Sequence, residues 1–309
     1  MPSATLPLQI TPLSHDVRKF SQIGAEIQLP TSMPLFDVDS LTKEEKDTLR
    51  QGLYEHGVLV VHNQSGISPS ELLKICRLFD NTALDVHSGG KSAMTDPKNI
   101  LAANKQARHP RADQVTIIGQ GQFENYEGLR GLNLKHVDHT EFHETPLSSN
   151  EIQEGHTRPY RWHMDAPLYD VLPGRATVLH SVVNPDAPDQ KLLFDDGSAL
   201  DIAAGATAFF SGARNFELLS PEEQEFALHT TVQYAPRAYE WIRDCKATAD
   251  GLAIERPGRE RDLSDLSPWD WGKAHSYPVN GLEESWRWQA TSTNSRMLRV
   301  VFNDNRSSH

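Results

Sequence analysis

Apolar and polar positions follow two rhythms along this chain. The helical rhythm is announced by caps. Thr42-Lys43-Glu44-Glu45 is a capping-box pattern at the head of LTKEEKDTLRQGLYEHG, and Gly57 is a natural stop. VLVVH (58–62) follows at once and predicts a buried strand. Ser68-Pro69-Ser70-Glu71 repeats the capping box, with Pro at the first helical position and Ile67 placed to staple onto Leu72. Leu72, Leu73, Cys76 and Phe79 then keep helical spacing. Ser220-Pro221-Glu222-Glu223 predicts a third helix by the same logic.

The strand rhythm dominates the middle. RATVLHSVV (175–183) is rich in β-branched residues, and ATAFFSG (206–212) and TTVQYA (230–235) read as further strands. KLLFDDGSALDI sets Asp196-Gly197 between short apolar runs, a hairpin signal. Short strands with helices outside them predict a mainly β protein, a barrel or jelly roll with helical buttresses. No repeat or low-complexity linker divides the chain, so residues 1–309 read as one domain. Residues 280–309 stand apart as an atypical tail, mostly polar, in which MLRVVF could hold one strand.

Composition narrows the function. A net charge of −12 argues against a nucleic-acid binder, which needs a basic surface to neutralise phosphates. Two distant cysteines, Cys76 and Cys245, make neither a disulfide framework nor a zinc ribbon. The N-terminus lacks the pattern of a signal peptide, and no apolar run reaches a membrane span. The expectation is a cytoplasmic protein acting on small molecules, without nucleic-acid or membrane partners. GxSxG, Walker A and GxGxxG motifs are absent.

Candidate chemistry lies in two His-x-Asp pairs: His163 and Asp165 in RPYRWHMDAPLYD, and His136 and Asp138 in LKHVDHTEFH. With fourteen histidines, about one such pair is expected from composition alone. On a strand, residues i and i+2 share a face, so His163 and Asp165 would present an imidazole and a carboxylate side by side. Two His and one carboxylate on one face, with open positions opposite, is the arrangement of non-haem Fe(II) oxygenases. The plainer alternative is a solvated strand with a surface His and a turn-capping Asp. The upstream segment competes: His139, Glu141 and His143 could bind zinc, although HExxH spacing is missing.

Longer stretches carry a resemblance. RWHMDAPLYD, the run from LLFDDGSALDIAAGATAFFSG to LHTTVQYAP, and LSDLSPWDWGK resemble the fungal branch of the TauD/TfdA-type Fe(II)/2-oxoglutarate dioxygenases, which includes xanthine dioxygenase and amino-acid oxygenases of secondary metabolism. The opening ITPLSHDVRKFSQIGAEIQLP, with VLVVHNQ after its helix, is similar to the start of these enzymes, so the likeness runs from about Leu8 to Tyr277. It implies a double-stranded β-helix, a jelly roll of the clavaminate synthase type. It implies Fe(II) held by His163, Asp165 and a distal His, with 2-oxoglutarate and O2 as co-substrates and succinate as a product. An Arg would hold the far carboxylate of 2-oxoglutarate. His136 and Asp138 move to the pocket wall, and Lys135, His136 and His139 become candidate substrate anchors.

The same resemblance places the distal His on a late core strand, with the Arg about ten to thirteen positions after it. Aligned through LSPWDWGK, that strand falls beyond residue 309, which predicts a C-terminally incomplete jelly roll with weak iron affinity and poor solubility. His275 and Arg287 are a makeshift alternative. His229 follows a helix and has no Arg at the right offset. The competing functional expectation is a catalytically silent relative that binds a metabolite or a partner.

Overall fold

The computed structural model describes residues 7–14, 23–82, 107–126, 128–135, 142–160, 162–163, 175–194, 197–233, 245–251, 254–256, 276–278 and 301–303. Strands β1 (Gln9–Pro12) and β2 (Ala25–Gln28) pair antiparallel, Ile10 opposite Ile27. Helix α1 (Lys43–His56) begins as its sequence dictates. Thr42 Oγ1 accepts from Glu45 N and Glu45 returns a carboxylate to Thr42 N, satisfying two orphan donors. Gly57 ends it at φ 71°, a conformation that glycine adopts without a Cβ penalty. The buried Gly52 lets this helix approach β1 closely, for a Cβ there would sit 2.3 Å from Ile10 Cδ1.

Strand β3 (Leu59–His62) is the predicted VLVVH strand and pairs parallel with β2. Helix α2 (Pro69–Phe79) departs from expectation in its cap. Ser68 makes no side-chain cap bond. The Glu71 carboxylate is drawn away instead, accepting the backbone N–H of Val38 at 2.6 Å. A buried donor 33 residues away outcompetes the local box, because an unmet N–H in the core costs more than an unmet one at a wet helix end. The buried face is Glu71, Leu72, Ile75 and Leu78, rotated slightly from the predicted stripe. Ile67 and Leu72 are both buried in one core, as the staple requires.

That core is an N-terminal cluster of Leu8, Ile27, Phe36, Leu49, Leu53, Leu59, Val61, Ile75 and their neighbours, between the first sheet and helices α1 and α2. Gln64, 1% exposed, seals one side, accepting from Phe36 N at 2.7 Å and donating to His62 O at 3.0 Å.

Small β units follow: β4 (Ala107–His109) with β5 (Ala112–Ile117), and the hairpin β6 (Gly121–Tyr126) with β7 (Leu129–Leu134). Helix α3 (Ser149–Gln153) has a complete capping box from Ser148 and Glu151. Strand β8 (His156–Thr157) lies parallel to β9 (Gln190–Leu193), which pairs antiparallel with β10 (Ala199–Ile202). This last pair is the predicted Asp-Gly hairpin, with Gly197 at φ 81°.

Two predicted strands are absent. Residues 175–183 form no strand beyond a single bridging residue, His180. Ala176 and Val178 instead pack against the N-terminal core, so their small and β-branched side chains are partly buried without a ladder. Residues 206–211 are irregular, after a turn closed by Ala206 N to Ala203 O, and Gly212 already belongs to α4 (Gly212–Leu218), which Ser211 caps through Arg214 N. Helix α5 (Pro221–His229) has the predicted box of Ser220 and Glu223. Then come β11 (Thr231–Gln233), β12 (Lys246–Ala247), β13 (Ile254–Arg256), β14 (Ser276–Pro278) and β15 (Val301–Asn303). Strand β11 pairs with β14, and β12 with β13. Strand β15, from the MLRVVF run, adds parallel to β3 and completes a four-stranded sheet in the order β1-β2-β3-β15. The described residues are thus a mixture of strands and flanking helices, with no helix long and apolar enough to cross a membrane.

Candidate functional site

The segment carrying the downstream pair is fixed by its neighbours more than by its own secondary structure. Strand β8 delivers the chain from α3, locked by His156 opposite Lys191 and by Lys191 N donating to Gly155 O at 2.8 Å. Beyond it Pro159 and Tyr160 run without strand pairing past the turn that follows β12. The Trp162 indole donates to Asp250 O at 3.3 Å, and its ring meets Phe210 edge-on at 5.1 Å. Gly251, at φ 71°, lies against Pro159, Tyr160 and Trp162, so the turn and the segment touch backbone to side chain.

His163 is exposed. Its ring packs edge-on to Tyr160 with centroids 5.3 Å apart, and Tyr160 packs edge-on to the buried Phe142 at 4.3 Å. A row of aromatic rings therefore runs from the interior to the imidazole. Such edge-to-face contacts restrict ring orientation, which matters for a group whose nitrogen lone pair must point at a ligand position.

His143 enters the same neighbourhood from the upstream segment. It is 2% exposed and places both ring nitrogens on backbone carbonyls: Nδ1 on Thr248 O and Nε2 on Pro159 O, each at 2.8 Å. A parallel bridge between His143 and Ala247, and Glu144 N donating to Ala247 O at 3.2 Å, bind the two backbones together. With a backbone carbonyl 2.8 Å from each nitrogen, His143 has no open side for zinc, so the alternative site with His139 and Glu141 loses one of its three ligands.

The other expected residues divide cleanly. Lys135 is exposed just past β7. Asp165, His136, Asp138, His139, Glu141, His275 and Arg287 lie outside the described residues. His229 is exposed at the end of α5 and pairs with Glu225 at 2.9 Å, a helix-surface role. Among the described residues, no group of three His, Cys, Asp or Glu side chains is arranged to hold a metal ion. What is described of the candidate pair fits a divalent ion in its donor chemistry: an exposed, oriented imidazole at His163, two positions before a carboxylate. Sequence reasoning missed the staple made by His143. Its partners stand 16 and 105 residues away, a separation no local spacing reveals.

Comparison with known proteins adds what this geometry leaves open. Residues 9–303 match the taurine catabolism dioxygenase TauD, TfdA family. The chain is 36% identical over 249 residues to the alpha-ketoglutarate-dependent xanthine dioxygenase xanA of Emericella nidulans, covering 80% of this chain and 66% of that protein. It is 34% identical over 272 residues to the xanthine dioxygenase xan-1 of Neurospora crassa, covering 85% and 62%. To the alpha-ketoglutarate-dependent dioxygenase bsc9 of Alternaria brassicicola it is 29% identical over 266 residues, covering 84% and 65%. The chain thus spans about two thirds or less of the length of these curated relatives. No solved structure matches it.

Proposed function

The chain belongs to the TauD/TfdA dioxygenase family, and from that premise we propose that it is an Fe(II)- and 2-oxoglutarate-dependent oxygenase of a small organic metabolite. The observation that carries the reading is the family match over residues 9–303 around a His163-x-Asp165 pair whose imidazole is exposed and held in place by aromatic packing. In this reading residues 1–309 belong to one dioxygenase-like domain with the family's jelly-roll core, and 280–309 are its atypical tail.

His163 and Asp165 hold the metal. When bound, Fe(II) with 2-oxoglutarate and O2 supplies oxidative decarboxylation to succinate and carbon dioxide, coupled to oxidation of the substrate. The protein's part is placement. Tyr160 orients the His163 ring, Phe210 packs edge-on against Trp162, and the turn at 248–251 backs the segment. Lys135, His136 and His139 provide cationic and hydrogen-bonding anchors on the substrate side.

The substrate class to which the comparisons lean is a purine of the xanthine type, since the xanthine dioxygenases stand at 34–36% identity and bsc9 at 29%. Lys135, His136 and His139 suit an oxygen-rich, acidic heterocycle, which takes hydrogen bonds and charge along its edge. The test has two steps. Anaerobic addition of Fe(II) and 2-oxoglutarate to the folded protein should give the weak visible charge-transfer band of the chelate. Xanthine should then stimulate succinate release in air. Folded protein that gives no band overturns the metal reading. A band with succinate release stimulated by an amino-acid substrate and not by xanthine overturns the purine assignment alone.

A further inference from the structure

We infer that His143 is a positioning residue for the metal-binding segment, its buried ring tying this segment to the turn after β12. The inference rests on the oxygenase reading only for what the segment does; the staple itself stands on hydrogen-bond chemistry.

A backbone carbonyl only accepts. Whichever ring nitrogen carries hydrogen therefore donates to Thr248 O or to Pro159 O, each 2.8 Å away, and the ring is held between the two. Thr248 O also accepts from Gly251 N at 2.9 Å, which fixes the turn on which the ring rests. The ring is 2% exposed, so water cannot replace a lost partner. The charged and titratable residues along the three chain segments that enclose the ring are Glu144, Arg158, Tyr160, Cys245, Lys246 and Asp250. Among them Asp250 accepts from the Thr248 hydroxyl at 2.7 Å, bracing the turn that receives Nδ1.

The placement gives the staple its purpose. Pro159 precedes Tyr160, whose ring packs on His163, and the Thr248 turn carries Asp250, which receives the Trp162 indole. One side chain thus fixes both walls of the stretch that ends in His163. Freeing Pro159 would let Tyr160 and His163 shift together, and metal affinity is sensitive to such supports.

The experiment uses the full chain. Long-range 1H–15N spectra of the histidine rings, with His143 assigned by its loss in His143→Phe, should show a hydrogen-bonded ring N–H that exchanges slowly with solvent. A His143 ring proton that exchanges as fast as one on a surface histidine would overturn the staple. Co(II) titration of wild type, His143→Phe and His143→Asn, each below its melting temperature, reads the second half. The Phe variant should bind Co(II) about tenfold more weakly, with Asn, which can still donate, in between. If His143→Phe does not fold, His143→Asn carries the comparison. Unchanged Co(II) affinity in a folded variant that melts lower would make His143 purely structural and overturn the positioning role. Wild type that binds no Co(II) at all fails the oxygenase reading and removes the positioning role with it, while the ring spectrum still decides the staple.

Discussion

Tyr160 and His163 meet edge to face, their ring centroids 5.3 Å apart and their planes at 66°. Such a pair contributes about 0.5–1.5 kcal/mol beyond burial, and here it links an exposed metal-ligand candidate to the buried Phe142. Tyr160→Ala should weaken Co(II) binding by roughly fivefold, the equivalent of about 1 kcal/mol. Tyr160→Phe keeps the ring and should leave affinity unchanged. Equal loss in both variants would mean that the hydroxyl matters and the ring contact does not. Isothermal titration decides it.

Glu71 makes a prediction about stability. Its Oε1 accepts Val38 N at 2.6 Å inside the N-terminal core, and Oε2 receives Lys74 at 3.2 Å. Glu71→Ala leaves a buried N–H without an acceptor, a cost of about 1–3 kcal/mol. Glu71→Gln keeps an acceptor and should lose much less. Thermal melts of the two variants should separate them, and an equally small drop in both would show that Val38 finds another partner.

What the sequence made legible, and what it hid, follows from range. The caps of α1, α3 and α5 are local hydrogen bonds within four residues, and the boxes at Thr42 and Ser220 were readable from spacing. The box at Ser68 had the same spelling and failed, because Val38 took its glutamate. The β9–β10 hairpin was readable from Asp196-Gly197, but ATAFFSG and RATVLHSVV were not strands, since their apolar residues met needs that local pattern does not record. At the site, His163 was readable as a candidate ligand from its neighbours. The role of His143 was not, for it depends on carbonyls brought from two distant segments.

The capping boxes also predict a pH dependence. The N–H of Thr42 bonded to the Glu45 carboxylate, foremost, holds that group below its ordinary value of 4.5. A carboxylate with a depressed folded value adds stability above its unfolded value, and that stability is lost as pH falls through the folded one. Wild type should therefore melt higher than Glu45→Gln near neutrality, and the gap should close as pH drops below about 4.5. The group is partly exposed, so the gap is small. A gap that persists at low pH would assign it to helix propensity instead of the charge. Glu151, depressed chiefly by the Ser148 hydroxyl, should behave the same way in Glu151→Gln.

The choice between the two His-x-Asp pairs gives the sharpest test. A divalent ion bound by imidazoles alone lacks the anionic ligand that compensates its charge, so Asp165→Ala should abolish Fe(II) and Co(II) binding in a protein that still melts cooperatively. Asp138→Ala should leave binding intact. The separate zinc alternative, in which His143 would join His139 and Glu141 around an ion, is opposed by the contacts of both His143 nitrogens with Thr248 O and Pro159 O. An upstream site would have to be built without it, while the downstream pair begins with an imidazole that aromatic packing already holds at the surface. If Asp138→Ala loses the metal and Asp165→Ala keeps it, the pairs have been assigned the wrong way round. If both variants bind normally, neither carboxylate is a ligand and the metal lies elsewhere in the chain.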